Sequence, residues 1–314
     1  MFNEEAAGGQ FYDRLRSALE GVPWELLAVD DGSTDGTGEM LKGLAETDGR
    51  VRVLRLSRNF GHQAALTAGL DHAQGDVVVT MDADLQDPPE LIPPMLDEWR
   101  RGADVVHAVR ELRHGERGWR RWSIRLFYRI FGRLAKLENL TNAGDFRLLD
   151  RRALEAISSM RERSRFLRGM SVWIGFRQAT VPYDRDARAA GETKYPPRKL
   201  IELAADGIVS FSYVPLRAAA VLGVIVSIGA LIGIPVVVVL KLAGNYVPGI
   251  ASVTIALLLL AGVQLLTLGI IGEYLARTYD EAKHRPIYLV RDHYNLIEPL
   301  PAELSDADDP ARAL

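Results

Sequence analysis

The sequence predicts an α/β fold: a doubly wound, mostly parallel sheet, followed by interfacial amphipathic helices and a two-helix transmembrane hairpin. Three observations carry that expectation. Short apolar runs alternate with helical patterns over residues 1–110, basic and aromatic residues cluster over 118–137, and 218–272 is almost entirely apolar. Strands alternating with helices of about 10–14 residues imply a parallel sheet covered on both faces.

Taken in order, Trp24–Val29 reads as a strand ending at Asp30-Asp31, with Asp35–Ala45 as the helix after it. Val51–Leu56 is a strand with arginines alternating outward, His62–Gln74 a helix, and Asp76–Met81 an apolar strand ending at Asp82. Pro88–Arg101 is a helix with proline in its first turn, where a missing N–H is tolerated. Asp104–Val109 is a further strand. Ligands in such sheets bind beyond the carboxyl ends of the strands, which is where the acidic pairs fall. Gly118–Leu137, with Trp119, Arg121, Trp122, Arg125, Phe127 and Arg129, is expected to form a helix lying on an anionic membrane surface, the bland alternative being a solvated helix with its apolar side on the core. Pro196–Arg217 is a second amphipathic candidate leading into the bilayer.

Ala218–Leu240 is an uncharged run of 23 residues, about 34 Å as a helix and enough to cross a hydrocarbon core. Tyr246–Gly272 is a second uncharged run of 27 residues, separated from the first only by Lys241–Asn245. Arg198, Lys199 and Arg217 precede the pair, Arg277, Lys283, Arg285 and Arg291 follow it, and the tip carries Lys241 alone. By the positive-inside rule both ends are expected to be cytoplasmic, and no secretory signal is read ahead of them. The organisation expected is a cytoplasmic domain (1–195), an interfacial helix (196–217), two membrane helices (218–240 and 246–272, within 218–276) and a cytoplasmic tail (277–314), disordered beyond Asp292.

The 314 residues carry a net charge of −3 and no cysteine. That leaves no basic field for nucleic acid, no disulfide and no thiolate metal site. The six histidines show no metal-ligand spacing and read as incidental. No Gly-x-Gly-x-x-Gly or Walker loop occurs, against a dehydrogenase or NTPase.

Two acidic strand ends carry the chemistry. Asp82-Ala83-Asp84 puts two carboxylates where they can share a hard cation with substrate phosphate oxygens; the bland alternative is a capping turn before Pro88. Asp30–Thr37 is a glycine-containing turn in which Ser33 or Thr34 can cap the next helix, and through which a backbone can also approach a nucleotide.

These two segments resemble the family 2 glycosyltransferases, inverting nucleotide-sugar enzymes. So do Asn3-Glu4-Glu5, Ser57–Gly61, Gly144–Arg151, Arg163–Gly169, Gly191–Lys194 and Ile271–Tyr274. Together they are similar to the branch of bactoprenol glucosyltransferases and dolichol-phosphate mannose synthases, over roughly residues 1–292. The resemblance implies a sheet of the nucleotide-sugar transferase type and transfer of a hexose to a polyisoprenyl phosphate at the cytoplasmic face of a bacterial inner membrane. It implies that Asp31 contacts the nucleoside, Glu5 reaches the base, and Asp82 and Asp84, with Gln86, hold Mg²⁺ or Mn²⁺. Asp145 occupies the acceptor-side acid position, and Arg110, Arg147, Arg165, Arg168 and Lys194 surround the lipid phosphate and leaving diphosphate. UDP-glucose is favoured as donor, with GDP-mannose and modified UDP-sugars left open, as is oligomeric state, a homo-oligomer included.

The sequence departs from this pattern at Met1–Glu5, where the family has a full apolar strand ahead of Asn-Glu. The central strand of the sheet is therefore expected to be missing and the native start to lie upstream. Two further readings compete. A processive polysaccharide synthase would carry a Gln/Arg-x-x-Arg-Trp motif, which Arg117–Trp122 does not match. A non-catalytic membrane scaffold would not need Asp82, Asp84, Asp145 and Lys194 together.

Overall fold

The computed structural model describes residues 1–110, 143–163, 165–183, 214–243 and 249–296. It divides into two compact units, one of residues 1–125, 137–193 and 286–314, the other of 126–136 and 194–285. The helix expected over 118–137, the amphipathic segment 196–213, Lys194 and the tail beyond Leu296 lie outside the described residues.

The first unit begins with α1 (Glu5–Ala18), β1 (Leu26–Asp30), α2 (Thr37–Thr47), β2 (Val51–Leu56), α3 (His62–His72) and β3 (Val77–Thr80). A 3-10 turn (Pro89–Leu91) leads into α4 (Ile92–Arg100) and β4 (Val105–Arg110). After β5 (Ala143–Asp150) come α5 (Arg151–Ser159), α6 (Leu167–Trp173), β6 (Gln178–Tyr183) and, late in the chain, β7 (Val290–Tyr294). Each strand and helix expected between residues 24 and 109 is present to within two residues at either end, except that the α-helix expected from Pro88 starts at Ile92, after the 3-10 turn.

The sheet is mixed rather than doubly wound and parallel. β1 and β2 run parallel, but β7 lies antiparallel on the far edge of β2. The second sheet is ordered β3-β5-β4-β6, and β5 runs antiparallel to both of its neighbours. An antiparallel neighbour needs no crossover helix, so helix–strand alternation carries no signal for it. β5 is buried on both faces through Phe146, Arg147, Leu148 and Leu149, as a central strand must be. β7 corrects the expected start of the disordered tail. Asn295 Nδ2 donates to Ala45 O and Val51 O at 2.7 and 2.9 Å, holding the chain in place just past the strand.

Apolar side chains at helical spacing cover the sheets. Phe11 and Leu15 of α1 and Met95 of α4 pack with Val106, Phe146 and Leu148. On the other sheet, Leu41 and Ala45 of α2 meet Val51 and Val53, and Ala65 and Ala68 of α3 meet Val29 and Leu54.

Between β1 and β3 lies a cavity of about 1120 Å³. It is lined by consecutive residues of both strands, Leu26–Val29 and Val77–Thr80. Side chains alternate faces along a strand, so consecutive lining residues mean that each strand presents its edge, not a face. Val77–Thr80 are all half-buried, whereas Val105, Val106 and Leu148 in the same sheet are fully buried. Met1 occupies one end of this gap. Its amino group donates to Val29 O at 2.6 Å, and its carbonyl accepts from Asp31 N–H at 2.8 Å.

The second unit contains α7 (Val214–Leu242) and α8 (Ile250–Ala282), which contact each other. Both are long and apolar enough to cross a membrane, through Leu216–Gly233 and Leu259–Ala282. Large apolar side chains along them, among them Ile225, Leu231, Leu257 and Leu265, are exposed. α8 continues ten residues beyond Gly272, where the uncharged run ends.

Candidate active site

The carboxyl ends of β1 and β3, together with the amino end of antiparallel β5, carry the acidic residues. Past β1, Asp30 is fully buried; it accepts from Ser33 N–H at 2.8 Å and pairs with Arg55 Nε at 3.2 Å, a structural role. Asp31 reaches the next loop, accepting Phe60 N–H at 2.8 Å and Gly61 N–H at 2.9 Å. Gly32, at φ +69°, lies so close to this loop that a Cβ would collide with the Arg58–Asn59 backbone. The amino end folds over the same turn: Asn3 Oδ1 accepts from Thr34 N–H at 2.9 Å, and Glu4 N–H donates to Thr37 Oγ1 at 2.9 Å. Glu5 Oε2 accepts Gly36 N–H at 3.1 Å, so its carboxylate braces the turn.

Past β3, Asp84 Oδ1 accepts the Gln86 N–H at 3.1 Å, and Leu85 takes a left-handed conformation at φ +62°. A non-glycine residue there is strained and needs its surroundings to hold it. Tyr183 donates to Asp87 Oδ1 at 2.5 Å, pinning the end of the loop. Gln86 is buried, and its Oε1 has no hydrogen-bond partner. Burial raises the Asp82 carboxyl, and the nearby charges of Asp145, Asp87 and Asp84 push it the same way, against His62. Burial and then the Asp84 charge likewise raise Glu4. His62 and the amino terminus offset this crowding of carboxylates only in part, and a divalent ion would relieve it further. Among the described residues no three His, Asp or Glu side chains form a closed metal cage. Two carboxylates with room for substrate oxygens is the donor set that Mg²⁺ and Mn²⁺ accept.

On β5, Asp145 gathers two arginines and an imidazole. Arg147 Nη2 lies 2.6 Å from Oδ1, while His62 Nε2 and Arg168 Nη2 lie 3.2 and 3.6 Å from Oδ2. Burial pushes the Asp145 carboxyl up, but the His62 hydrogen bond and the Arg147 and Arg168 charges outweigh it, holding it well below the usual carboxylate range. Arg147 is fully buried behind Asp145 and also donates to Ser171 Oγ at 3.1 Å. Burial pulls its guanidinium down to about 10, still charged at neutral pH. His107, opposite Arg147 in the β4–β5 pair, is held neutral by burial and by that charge, pulled down to about 4.

Asp82 and Asp145 thus meet around His62, whose Nε2 is 3.7 Å from Asp82 Oδ1. Arg168 joins this group, but Arg165 does not: its guanidinium donates to Ile157 O at 3.0 Å, and its charged neighbours are Asp71, Arg161 and Glu162. Arg110 closes β4, and its side chain lies outside the described residues, as does Lys194. Sequence reasoning passed over His62 as incidental. The available signal was its position directly after Ser57–Gly61, at the start of a helix opposite two acidic strand ends.

The sequence matches the family model for glycosyl transferase family 2 over residues 1–158. It is 42% identical to the uncharacterized glycosyltransferase YkcC of Bacillus subtilis, over 94% of this chain and 93% of that protein. It is 40% identical to the bactoprenol glucosyl transferase of Shigella phage SfV, over 93% of this chain and 96% of that one. Among solved structures, the mannosyltransferase PcManGT of Pyrobaculum calidifontis aligns at 18% identity and a TM-score of 0.43, over 88% of this chain and 85% of that one. The chain belongs to the family 2 glycosyltransferases and is an enzyme of that family.

Proposed function

We propose that the enzyme transfers glucose from UDP-glucose to a polyisoprenyl phosphate of the bactoprenol type, with inversion, at the cytoplasmic face of a bacterial inner membrane. The observation that carries this reading is the meeting of Asp82 with the Asp145–Arg147–Arg168 group around His62. It sets a donor-side carboxylate beside a cationic acceptor side. The 40% identity to bactoprenol glucosyl transferases supports the acceptor and the sugar. The length and apolarity of α7 and α8 support a two-span membrane anchor, which would hold the site near a lipid substrate.

Asp82 and Asp84, with the unpartnered Gln86 Oε1, would hold Mg²⁺ or Mn²⁺; the ion would supply charge neutralisation for the diphosphate. The remaining work falls to this chain's own residues. Asp31, by ordering the Phe60–Gly61 backbone, shapes the nucleoside side, and Glu5 acts there by bracing the Gly36 turn. Arg168, one quarter exposed, is the cation available to receive the acceptor phosphate, with Arg110 and Lys194 as further anchors and Arg165 held apart among Asp71 and Arg161. A phosphate oxygen then bonds to the anomeric carbon as the bond to the diphosphate oxygen breaks, which inverts the centre. A phosphate monoester with a second pKa of about 6 is already largely dianionic at neutral pH. No strong base is needed, and Asp145, held ionised by the His62 hydrogen bond and the Arg147 and Arg168 charges, is a poor one. Its role is to orient Arg168 and the fully buried Arg147.

The test is incubation of detergent-solubilised protein with Mg²⁺ or Mn²⁺, undecaprenyl phosphate and a panel including UDP-glucose and GDP-mannose, read by mass spectrometry. Glucosyl-phospholipid formed from UDP-glucose and lost in Asp84→Ala is expected. Product only from GDP-mannose would overturn the donor, and no lipid product from a folded protein would overturn the acceptor.

A further inference from the structure

We infer that His62 is a positioning residue that acts through Asp145; the inference deepens the transferase reading above and rests on it. The start of α3 is fixed from two sides. Asp31 takes the N–H groups of Phe60 and Gly61, and Gly61 sits at φ +98°, a turn that glycine makes without strain. From the other side, Gln63 Oε1 accepts the Leu167 N–H at 2.9 Å, tying the first turn of α3 to α6, which carries Arg168. The His62 imidazole therefore projects from a backbone with little freedom to move.

Its Nε2 lies 3.2 Å from Asp145 Oδ2 and 3.7 Å from Asp82 Oδ1. One N–H cannot serve both, and 3.7 Å is beyond hydrogen-bond range. The bond goes to Asp145, and the ring stands between the two carboxylates. Arg147 already holds Oδ1 at 2.6 Å, so His62 fixes the other oxygen and with it the plane of the carboxylate. Removing the imidazole leaves Asp82 and Asp145 facing each other with no donor between them, and lets Oδ2 swing to Arg168, the cation needed for the acceptor. The loss falls on alignment of the reacting groups more than on donor binding, because the His62 hydrogen bond goes to Asp145 and the donor-side Asp82 stands beyond hydrogen-bond range at 3.7 Å.

The experiment compares wild type, His62→Ala, His62→Gln, Asp145→Ala and the double variant His62→Ala/Asp145→Ala, all as full-length protein in detergent. It reads kcat, KM for the sugar nucleotide, and Tm. His62→Ala is expected to lower kcat by about 10–100-fold, as loss of an orienting partner does, with donor KM changed less than about threefold. His62→Gln, which presents an amide N–H at similar reach, is expected to recover most of the loss. In the Asp145→Ala background, His62→Ala is expected to add almost nothing to either kcat or Tm, because the pair acts as one unit. A kcat within about threefold of wild type for His62→Ala, additive losses in the double variant, or no recovery in His62→Gln would each overturn the inference. A wild type inactive on every donor but with coupled Tm shifts would sink the transferase reading and keep the His62–Asp145 pairing. An active wild type with independent shifts would sink this inference alone.

Discussion

Met1 stands opposite Asp30 as a parallel strand partner. Its N–H goes to Val29 O and its carbonyl takes the Asp31 N–H, the two bonds by which a residue in one parallel strand brackets a residue in the next. Chain joined to the Met1 nitrogen would run back along Val29–Leu26 and meet the open edge of β3 on its other side. Five residues would span about 17 Å. Extending the protein by five apolar, β-branched residues is therefore expected to raise Tm by about 4–8 °C for each 2 kcal/mol gained, measured by calorimetry. An extension with proline at alternate positions is expected to give no gain, since proline cannot donate to a ladder. Equal Tm for both would mean that the gap between β1 and β3 does not take a strand.

Asp82 is expected to trade stability for function. Its folded pKa is raised, by burial first, so the folded state binds the proton more tightly than the unfolded state. Stability contributed by this group therefore rises as pH falls through that interval, and at neutral pH the ionised side chain is destabilising. Asp82→Asn is expected to raise Tm at pH 7 in metal-free buffer and to abolish transfer. The Tm gain should shrink toward zero as the pH falls to about 4, where ordinary carboxylates become protonated. A variant less stable than wild type at pH 7 would refute the account in which burial, with the neighbouring carboxylates, disfavours the ionised side chain.

The two arginines at Asp145 should fail differently. Arg147 is fully buried, so Arg147→Ala leaves a buried carboxylate short of its closest partner and is expected to cost about 3–5 kcal/mol of stability. Arg168 is more exposed and farther from Asp145. Arg168→Ala is expected to leave Tm within about 2 °C and to raise KM for the polyisoprenyl phosphate. Chemical denaturation paired with acceptor titration separates the two, and a large stability loss in Arg168→Ala would contradict the assignment.

At the nucleoside side, Asp31→Asn keeps the shape but replaces one acceptor oxygen with a donor, leaving the Phe60 or Gly61 N–H unpaired. The expected cost is about 1–3 kcal/mol, with weaker nucleotide binding by calorimetry. Gly32→Ala is expected to do the same by collision with the Arg58–Asn59 backbone. If either variant binds nucleotide as tightly as wild type, the Phe60–Gly61 loop is not part of the nucleotide site.

Much of the first 110 residues was legible because each segment declares its own burial. The apolar runs at Leu26–Asp30, Val51–Leu56 and Val105–Arg110 are strands, and the helices between them show apolar residues at helical spacing. The acids at the strand ends were legible for the same reason: Asp82 and Asp84 come just past the apolar run Val77–Met81. Less legible was the company each residue keeps. Arg165 and Arg168 read alike in sequence, yet one bonds to Ile157 O and the other reaches Asp145. His62 was marked only by its place directly after Ser57–Gly61, because its partner lies 83 positions away.

By itself the sequence determined the element types, the acidic strand ends, the membership of family 2 and two helices long and apolar enough to span a bilayer, since all of these rest on local periodicity, length and motif. The tertiary structure alone decided that β5 enters antiparallel between β3 and β4, that β7 returns to β2, and that His62, Arg147 and Arg168 converge on one carboxylate. Strand order and side-chain convergence are set by non-local packing and by the need to satisfy buried charge, and neither leaves a periodic trace along the chain.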